Sequence, residues 1–218
     1  PAIYERLELE VQSYLNPPSP VISPDESPNS STEVRNYFDE ISFIRSQSLA
    51  NSILTMSTII DSTQIIDVQA GRGKMDILLV GSKNTIFPVD TIGNILNYSL
   101  RQLEGEDLYE FGYLVQYDAY LNKILSSSDS ILLSELLEYL DTLKGISINQ
   151  LDPFSRNAIE HTPIIISANS MSSIKNILNY MLLNGSNLVL EKAIIKQDDK
   201  NKQLDIRFFI TYLNYRDS

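Results

Sequence analysis

The sequence predicts an α+β protein that consists of two similar modules. Apolar residues recur every three or four positions in some segments, as in amphipathic helices, and alternate with polar residues in others, as in half-buried strands. The predicted elements begin with the same order, α-β-β-α-β, over residues 33–117 and again over residues 131–213. The five residues Asn94–Tyr98 also recur as Asn176–Tyr180. These observations together indicate an internal duplication.

Composition limits the classes of function. The chain has 218 residues, enough for one large domain or two small ones. Its 17 Lys and Arg against 28 Asp and Glu give a formal charge of −11, which disfavours nucleic acid as a partner. The absence of Cys and the single histidine, His161, exclude disulfides, thiolate zinc sites and multi-histidine metal sites. We therefore expect no metal and no cofactor.

Four segments divide the chain. Residues 1–15 place apolar side chains on one side of a short amphipathic helix. Residues 16–30 contain most of the prolines among Ser, Asp, Glu and Asn, so we expect a linker. Residues 31–125 are predicted to form the first module and residues 126–218 the second.

The first module opens with a capping box at Ser30–Glu33 and a long apolar-periodic run. The glycines of Gly71–Gly73 suit a tight hairpin turn, and Pro88 stands where a helix could begin. The predicted elements are a long helix through Ile60, strands Ile65–Ala70 and Met75–Val80, a helix over residues 89–103 and a strand Leu108–Tyr117. Residues 118–125 receive no assignment.

The second module is more regular. Its predicted elements are helix Leu132–Leu143, strands Ile146–Leu151 and Ile164–Ser167, helix Ile174–Leu183, and strands Leu188–Lys196 and Gln203–Leu213. A loop with Asp152, Pro153 and Pro163 is expected between the first two strands. The order α-β-β-α-β-β packs both helices on one face of an antiparallel sheet, as in a circularly permuted ferredoxin-like fold. We therefore predict two tandem ferredoxin-like modules.

Residues 131–215 resemble the membrane-distal domain of PilO-type type IV pilus assembly proteins, which are relatives of the GspM proteins of type II secretion. The resemblance lies in the helix Leu132–Leu143, the strand Gly145–Ile148, the segment His161–Ile166, the helix Ile174–Leu183 and the ending Leu204–Tyr212. It implies a noncatalytic, bitopic inner-membrane protein whose domain pairs with itself or with a PilN-type partner. Such proteins usually carry a coiled coil before a single domain, whereas here a Pro-rich linker and another module precede it.

The resemblance also implies a location on the extracytoplasmic side of the cell membrane, with an N-terminal transmembrane anchor. No stretch of the sequence approaches 18 consecutive apolar residues. The start at Pro1 has neither Met nor a basic segment, so we expect a processed or truncated chain. Any anchor would then precede Pro1.

Three groups of residues are of types that could support catalysis or ligand binding. His161 beside Glu160 suggests a general base, but adjacent residues rarely face one another and no nucleophile motif accompanies them. Gly71–Lys74 lacks the spacing of a phosphate-binding loop, which favours a plain hairpin turn. Five acidic residues near two turns are of the type that binds a hard cation, but solvated turn residues explain them better: Glu104, Glu106, Asp107, Asp198 and Asp199. No catalytic residue is predicted.

Two aromatic strands are the best candidates for an interface, although such stripes more often belong to a core. The candidate residues are Tyr109, Phe111, Tyr113, Phe208, Phe209 and Tyr212. Our leading hypothesis is a noncatalytic scaffold of a type IV pilus or related secretion machine that works by homo- or hetero-dimerisation. A small-ligand sensor or regulatory domain is the alternative, and an enzyme ranks third.

Overall fold

A computed structural model of the chain describes residues 30–104, 107–117, 130–156, 159–184, 187–198 and 202–215. The helix predicted for residues 1–15, the linker up to residue 29 and the unassigned residues 118–125 lie outside these ranges. The side chains of residues 30–41 and of Tyr215 are likewise outside the description.

The described residues form three α-helices and nine β-strands. The helices are α1 (Ser30–Ile59), α2 (Leu133–Asp141) and α3 (Met171–Asn184). The strands are β1 (Ile65–Gly71), β2 (Lys74–Ser82), β3 (Asn94–Gln102), β4 (Leu108–Gln116), β5 (Ile146–Gln150), β6 (Phe154–Arg156), β7 (Ile159–Ala168), β8 (Leu188–Gln197) and β9 (Leu204–Tyr215). The predicted α+β class is confirmed.

All nine strands belong to one antiparallel sheet. Eight of them follow the order β3-β4-β2-β1-β8-β9-β7-β5, and the short β6 also pairs with β7. The sequence led us to expect one sheet in each module. Instead, β1 pairs with β8, from Asp67 opposite Lys196 to Gly71 opposite Lys192, and this pairing joins the two halves. The tandem ferredoxin-like arrangement is therefore not confirmed.

The helix predicted over residues 89–103 is wrong. Val89–Thr91 makes a single 3₁₀ turn, and Asn94–Gln102 is the strand β3. Gly93 lies so close to β4 that a Cβ atom there would clash with the Gln116 carbonyl oxygen. A short connection then returns the chain to β4, and the eight residue pairs in register between β3 and β4 outweigh a local helical pattern that an isolated segment cannot sustain.

The elements predicted for the second half are confirmed, with one correction. The expected loop between β5 and β7 contains the short strand β6, and β7 already begins at Ile159, so Pro163 lies inside a strand. The Pro163 carbonyl accepts a hydrogen bond from Leu151 N at 2.9 Å. Proline has no N–H to donate. On this side of β7, Pro163 lies opposite the gap between the end of β5 and the start of β6, so the sheet loses no hydrogen bond between paired strands.

The buried strand residues share one face of the sheet, here called the helix face. Cross-strand partners such as Val68 with Ile77, and Ile166 with Phe208, point to this face. They join buried residues of α1, α2 and α3, among them Ile53, in one hydrophobic core. The opposite face, here called the open face, carries alternating polar and half-buried apolar residues.

Candidate functional site

Among the strands that the structure describes, β3 pairs only with β4 and forms one edge of the sheet. All nine of its residues are exposed, and the four large apolar ones retain between 43% and 49% of their accessible surface: Ile95, Leu96, Tyr98 and Leu100. Ile95, Tyr98 and Leu100 lie opposite Val115, Tyr113 and Phe111, so they belong to the helix face. This exposed strand, residues 94–102, is here called the β3 edge.

The β3 edge lacks the features with which sheets usually protect their edges. Protective edges carry Pro, Lys or inward-pointing charges. The β3 edge contains neither Pro nor Lys, and its single charged residue, Arg101, forms an ion pair with Glu110 on β4. The unpaired backbone groups of this strand are therefore accessible to another strand without local charge repulsion.

The six aromatic residues predicted as an interface lie mostly in the core. Phe208, Phe111 and Tyr212 are only 1%, 3% and 6% exposed and point to the helix face. Tyr109 and Tyr113 are half-buried on that face. Three buried rings cannot reach a partner while the core stays folded. The alternation of these aromatic residues with other residues is therefore the pattern of strands that face the core.

Phe209 is the one predicted interface residue on the open face. It is half-buried, and the Lys192 amine lies 5.9 Å from the centre of its ring. The sequence predicts a helix over residues 89–103, so the β3 edge is not among the predicted interface residues. The feature that favours a hairpin instead is the short connection, residues 103–107, between two nine-residue segments that contain four and six apolar residues.

Aromatic packing links the β3 edge to the core. The ring centres of Tyr98 and Tyr113 are 5.2 Å apart at an angle of 46°, and the neighbouring Phe111 meets Phe87 edge to face at 5.1 Å. Burial raises the pKa of Tyr113, and the adjacent Tyr98 raises it further. A change at Tyr98 is therefore transmitted directly to a core-facing strand.

Among the described residues, the histidine and the acidic residues of the two predicted turns are not brought together in one cluster. His161 stacks on Phe154 with ring centres 5.0 Å apart, and Glu160 points to the other face of β7 because it is the adjacent strand residue. Glu106 and Asp199, members of the two acidic turns, lie outside the described residues. In the described ranges no group of three His, Cys, Asp or Glu residues is placed to hold a metal ion.

The β1–β2 turn is the hairpin turn that the sequence predicted. Arg72 and Gly73 have φ values of +52° and +81°, both left-handed, as a two-residue type I′ turn requires. The Gly73 N–H donates a hydrogen bond of 2.9 Å to the hydroxyl oxygen of Tyr117. This backbone N–H is therefore occupied and cannot cradle a phosphate.

A cavity of about 260 Å³ lies beside this turn and is here called the hairpin cavity. Its lining residues come from α1, the turn, the end of β4 and β8: Ser42, Arg45, Leu49, Arg72, Tyr117, Val189, Leu190 and Glu191. Strand β1 stops opposite Lys192, and beyond that point the Leu190 N–H donates to the Ser46 hydroxyl of α1 at 2.8 Å. The cavity thus forms where the neighbour of β8 changes from strand β1 to helix α1.

Burial dominates the electrostatics of Tyr117, which is only 2% exposed. Burial raises the pKa of its hydroxyl, whereas the Gly73 N–H and the positive charge of Arg45 act in the opposite direction. Glu191 is the one acidic residue among the described residues that line the cavity, and it accepts a hydrogen bond of 2.6 Å from the Thr211 hydroxyl. The described lining therefore combines two cations, one anion and a buried phenol.

The two arginines of the hairpin cavity differ from Arg101 and Arg207. Arg101 and Arg207 form ion pairs with Glu110 and Asp205. Among the residues that the structure describes, neither arginine of the cavity has an acidic side chain within ion-pair distance. A second cavity of about 370 Å³ shares Arg72 and Glu191 with the hairpin cavity, and its other charged residues are Lys74, Asp76 and Lys192.

Across the described ranges, none of the helices is both long enough and apolar enough to span a membrane. Comparison of the chain with protein-family models, with curated proteins and with solved structures finds no match.

Proposed function

We propose that this chain is a noncatalytic assembly component of a type IV pilus or a related secretion machine, and that its extracytoplasmic domains act by dimerisation. The resemblance of residues 131–215 to PilO-type proteins supports the kind of machine. The β3 edge supports the mode of action, because it is an apolar, unprotected strand that a second strand can extend. This exposed edge is the single observation that carries the proposal.

The topology of the second half supports a narrower version of the fold hypothesis. Its four main strands are arranged in the order β8-β9-β7-β5, and α2 and α3 contribute to the same core. This is the order expected when the first strand of a β-α-β-β-α-β unit is moved to its end. We therefore keep the ferredoxin-like interpretation for the second half alone. The described part of the first half has the strand order β1-β2-β4-β3 and a single α-helix, α1.

A second copy of the chain is the partner that the β3 edge suits best. Two edges that meet antiparallel around a two-fold axis satisfy each other's backbone groups and bury the same apolar side chains on both sides. The formal charge of −11 repels two copies at long range. At the edge itself Arg101 is neutralised by Glu110, so close approach adds no local repulsion.

Sedimentation velocity of the full chain, from low to high micromolar concentration, tests the dimer. Leu100→Lys places a like charge on both sides of the proposed two-fold axis, and we expect it to weaken dimerisation by about tenfold or more, or ~1.4 kcal/mol. Leu183→Lys is the matched control, because Leu183 is an even more exposed leucine, at 73%, on α3. It should leave the dimer unchanged.

Two outcomes would count against the proposal. If both lysine variants dimerise as the wild type does, the β3 edge is not the interface. If the wild type stays a monomer at high micromolar concentration and also fails to bind a purified PilN-type protein, the assembly function itself is rejected.

A small-ligand sensor is the second candidate function, and the hairpin cavity is the observation that favours it. A thermal-shift screen of small molecules tests it, because a ligand that binds only the folded state raises the melting temperature. A sensor is expected to give a reproducible rise with one class of compound, and the absence of a rise with every compound would count against a sensor.

A further inference from the structure

We propose that the hairpin cavity binds a small anion through a phosphate or carboxylate group. Hydrogen-bond donors from three separate elements line it: Arg45 on α1, Arg72 in the β1–β2 turn and Tyr117 after β4. The cavity shares no residue with the β3 edge, so this inference stands apart from the dimerisation proposal.

The backbone of Arg72 provides the first argument. Its φ of +52° is left-handed, and the residues that tolerate this position of a type I′ turn are Asn, Asp and Gly. An arginine there carries a conformational penalty that a turn alone does not require. Arg72 is exposed and lines the cavity, so the turn places a positively charged residue beside the site.

Tyr117 provides the second, independent argument. Its oxygen already accepts the hydrogen bond from Gly73 N–H, so its own hydrogen must be donated elsewhere. In the described part of the chain this hydroxyl has no acceptor. A buried phenol without an acceptor is unusual, because buried polar groups are normally hydrogen-bonded. An anion in the cavity would supply the acceptor.

Charge and size define the class of ligand. Within the described lining, Arg45 and Arg72 outnumber the single acidic residue, Glu191, although the whole chain is strongly acidic. The guanidinium fork matches the paired oxygens of phosphate or carboxylate. The volume of about 260 Å³ lies below the roughly 300–1,000 Å³ of sites for drug-sized ligands, so it suits an ion or a ligand of few heavy atoms.

Isothermal titration calorimetry of the full chain at low ionic strength tests the site, with inorganic phosphate as one probe and citrate as the carboxylate probe. We expect Arg45→Gln and Arg72→Asn each to weaken binding by about tenfold. Asn is favoured in the conformation of residue 72, so Arg72→Asn removes the charge and keeps the turn. Glu191→Gln removes the opposing charge and should tighten binding several-fold.

Arg156→Gln is the matched control, since Arg156 is an exposed arginine on β6, away from the hairpin cavity. Opposite effects of the Arg45 and Glu191 variants, with no effect of Arg156→Gln, would support the site. Binding by phosphate alone assigns a phosphate group, and binding by citrate alone assigns a carboxylate. Failure of both probes, or equal binding by all variants, would overturn the proposal. The Gly73 amide resonance should also shift on binding.

Discussion

The same five residues, Asn-Ile-Leu-Asn-Tyr, form part of strand β3 at residues 94–98 and part of helix α3 at residues 176–180. Ile177 and Leu178 in the helix are 1% and 0% exposed, whereas Ile95 and Leu96 in the strand are 43% and 48% exposed. An identical local sequence therefore adopts two backbone conformations and two levels of burial. Five residues do not determine their own structure.

The flanking residues explain the difference. In α3, Ile174 and Met181 continue the apolar spacing on both sides, and the Ser170 hydroxyl accepts a hydrogen bond of 3.2 Å from Ser173 N at the start of the helix. In β3, Gly93 precedes the copy and a short connection to β4 follows it. A capped, extended pattern favours the helix, and a neighbouring strand favours the sheet.

The two halves of the sheet differ in the same way. In the second half, α2 and α3 contribute to the core, and the helix-side residues Ile164 and Ile166 of β7 are 1% exposed. In the first half the second predicted helix became β3, and Tyr98 and Leu100 on its helix face remain 49% and 44% exposed. Where the first half has a strand in place of the predicted helix, the sheet gains both an exposed apolar surface and an open edge.

Truncation of the central leucine in each copy should give the largest contrast. Leu178→Ala removes a fully buried side chain, so we expect it to lower the free energy of unfolding by about 2–5 kcal/mol. Leu96→Ala removes a half-exposed side chain and should cost under about 1 kcal/mol. Urea unfolding measures both. Equal losses would mean that the two copies are buried alike.

The tyrosine that ends each copy offers a smaller contrast. Tyr98 meets Tyr113 at 5.2 Å and 46°, whereas Tyr180 lies nearly parallel to Tyr139 at 3.8 Å and 8°. Tilted pairs are favoured over face-to-face pairs, and aromatic pairs contribute about 0.5–1.5 kcal/mol. Double-mutant cycles with Tyr→Leu changes should therefore give the larger coupling energy for the Tyr98 pair. A larger coupling energy for the Tyr139–Tyr180 pair, which joins α2 and α3, would contradict this ranking.

Alkaline pH should produce the smallest effect, and in both halves. Burial is the main cause that raises the pKa of Tyr113 and of Tyr180, and Glu135 and Tyr139 raise that of Tyr180 further. The neutral phenol is therefore favoured in the folded state. This stabilisation is complete below the unfolded pKa of about 10 and is lost as the pH rises through the folded pKa.

Urea unfolding at a series of alkaline pH values tests this prediction. Stability should fall above a pH of about 10. The fall should be less steep in Tyr113→Phe and in Tyr180→Phe, since neither phenylalanine ionises. An unchanged slope in both variants would show that other groups cause the loss.

Much of the candidate site could not be predicted from local sequence patterns. The turn at Arg72–Gly73 was predicted from its glycines, and the structure confirms the hairpin. The contributions of Arg45, Tyr117 and Glu191 to one cavity depend on contacts between distant elements. No residue spacing along the chain predicts that β8 contacts β1 over one part of its length and α1 over the next.

The sequence by itself determined α1, the β1–β2 hairpin, strand β4 and all the main elements of the second half. Each of these elements has a long run of periodic apolar residues, a capping residue or a turn residue. These features depend only on residues that are close together in the sequence. Only the tertiary structure decided that Asn94–Gln102 is a strand and that β1 and β8 join both halves in one sheet. Hydrogen bonds between strands far apart in sequence set these features, and their free energy exceeds the small local preference for helix.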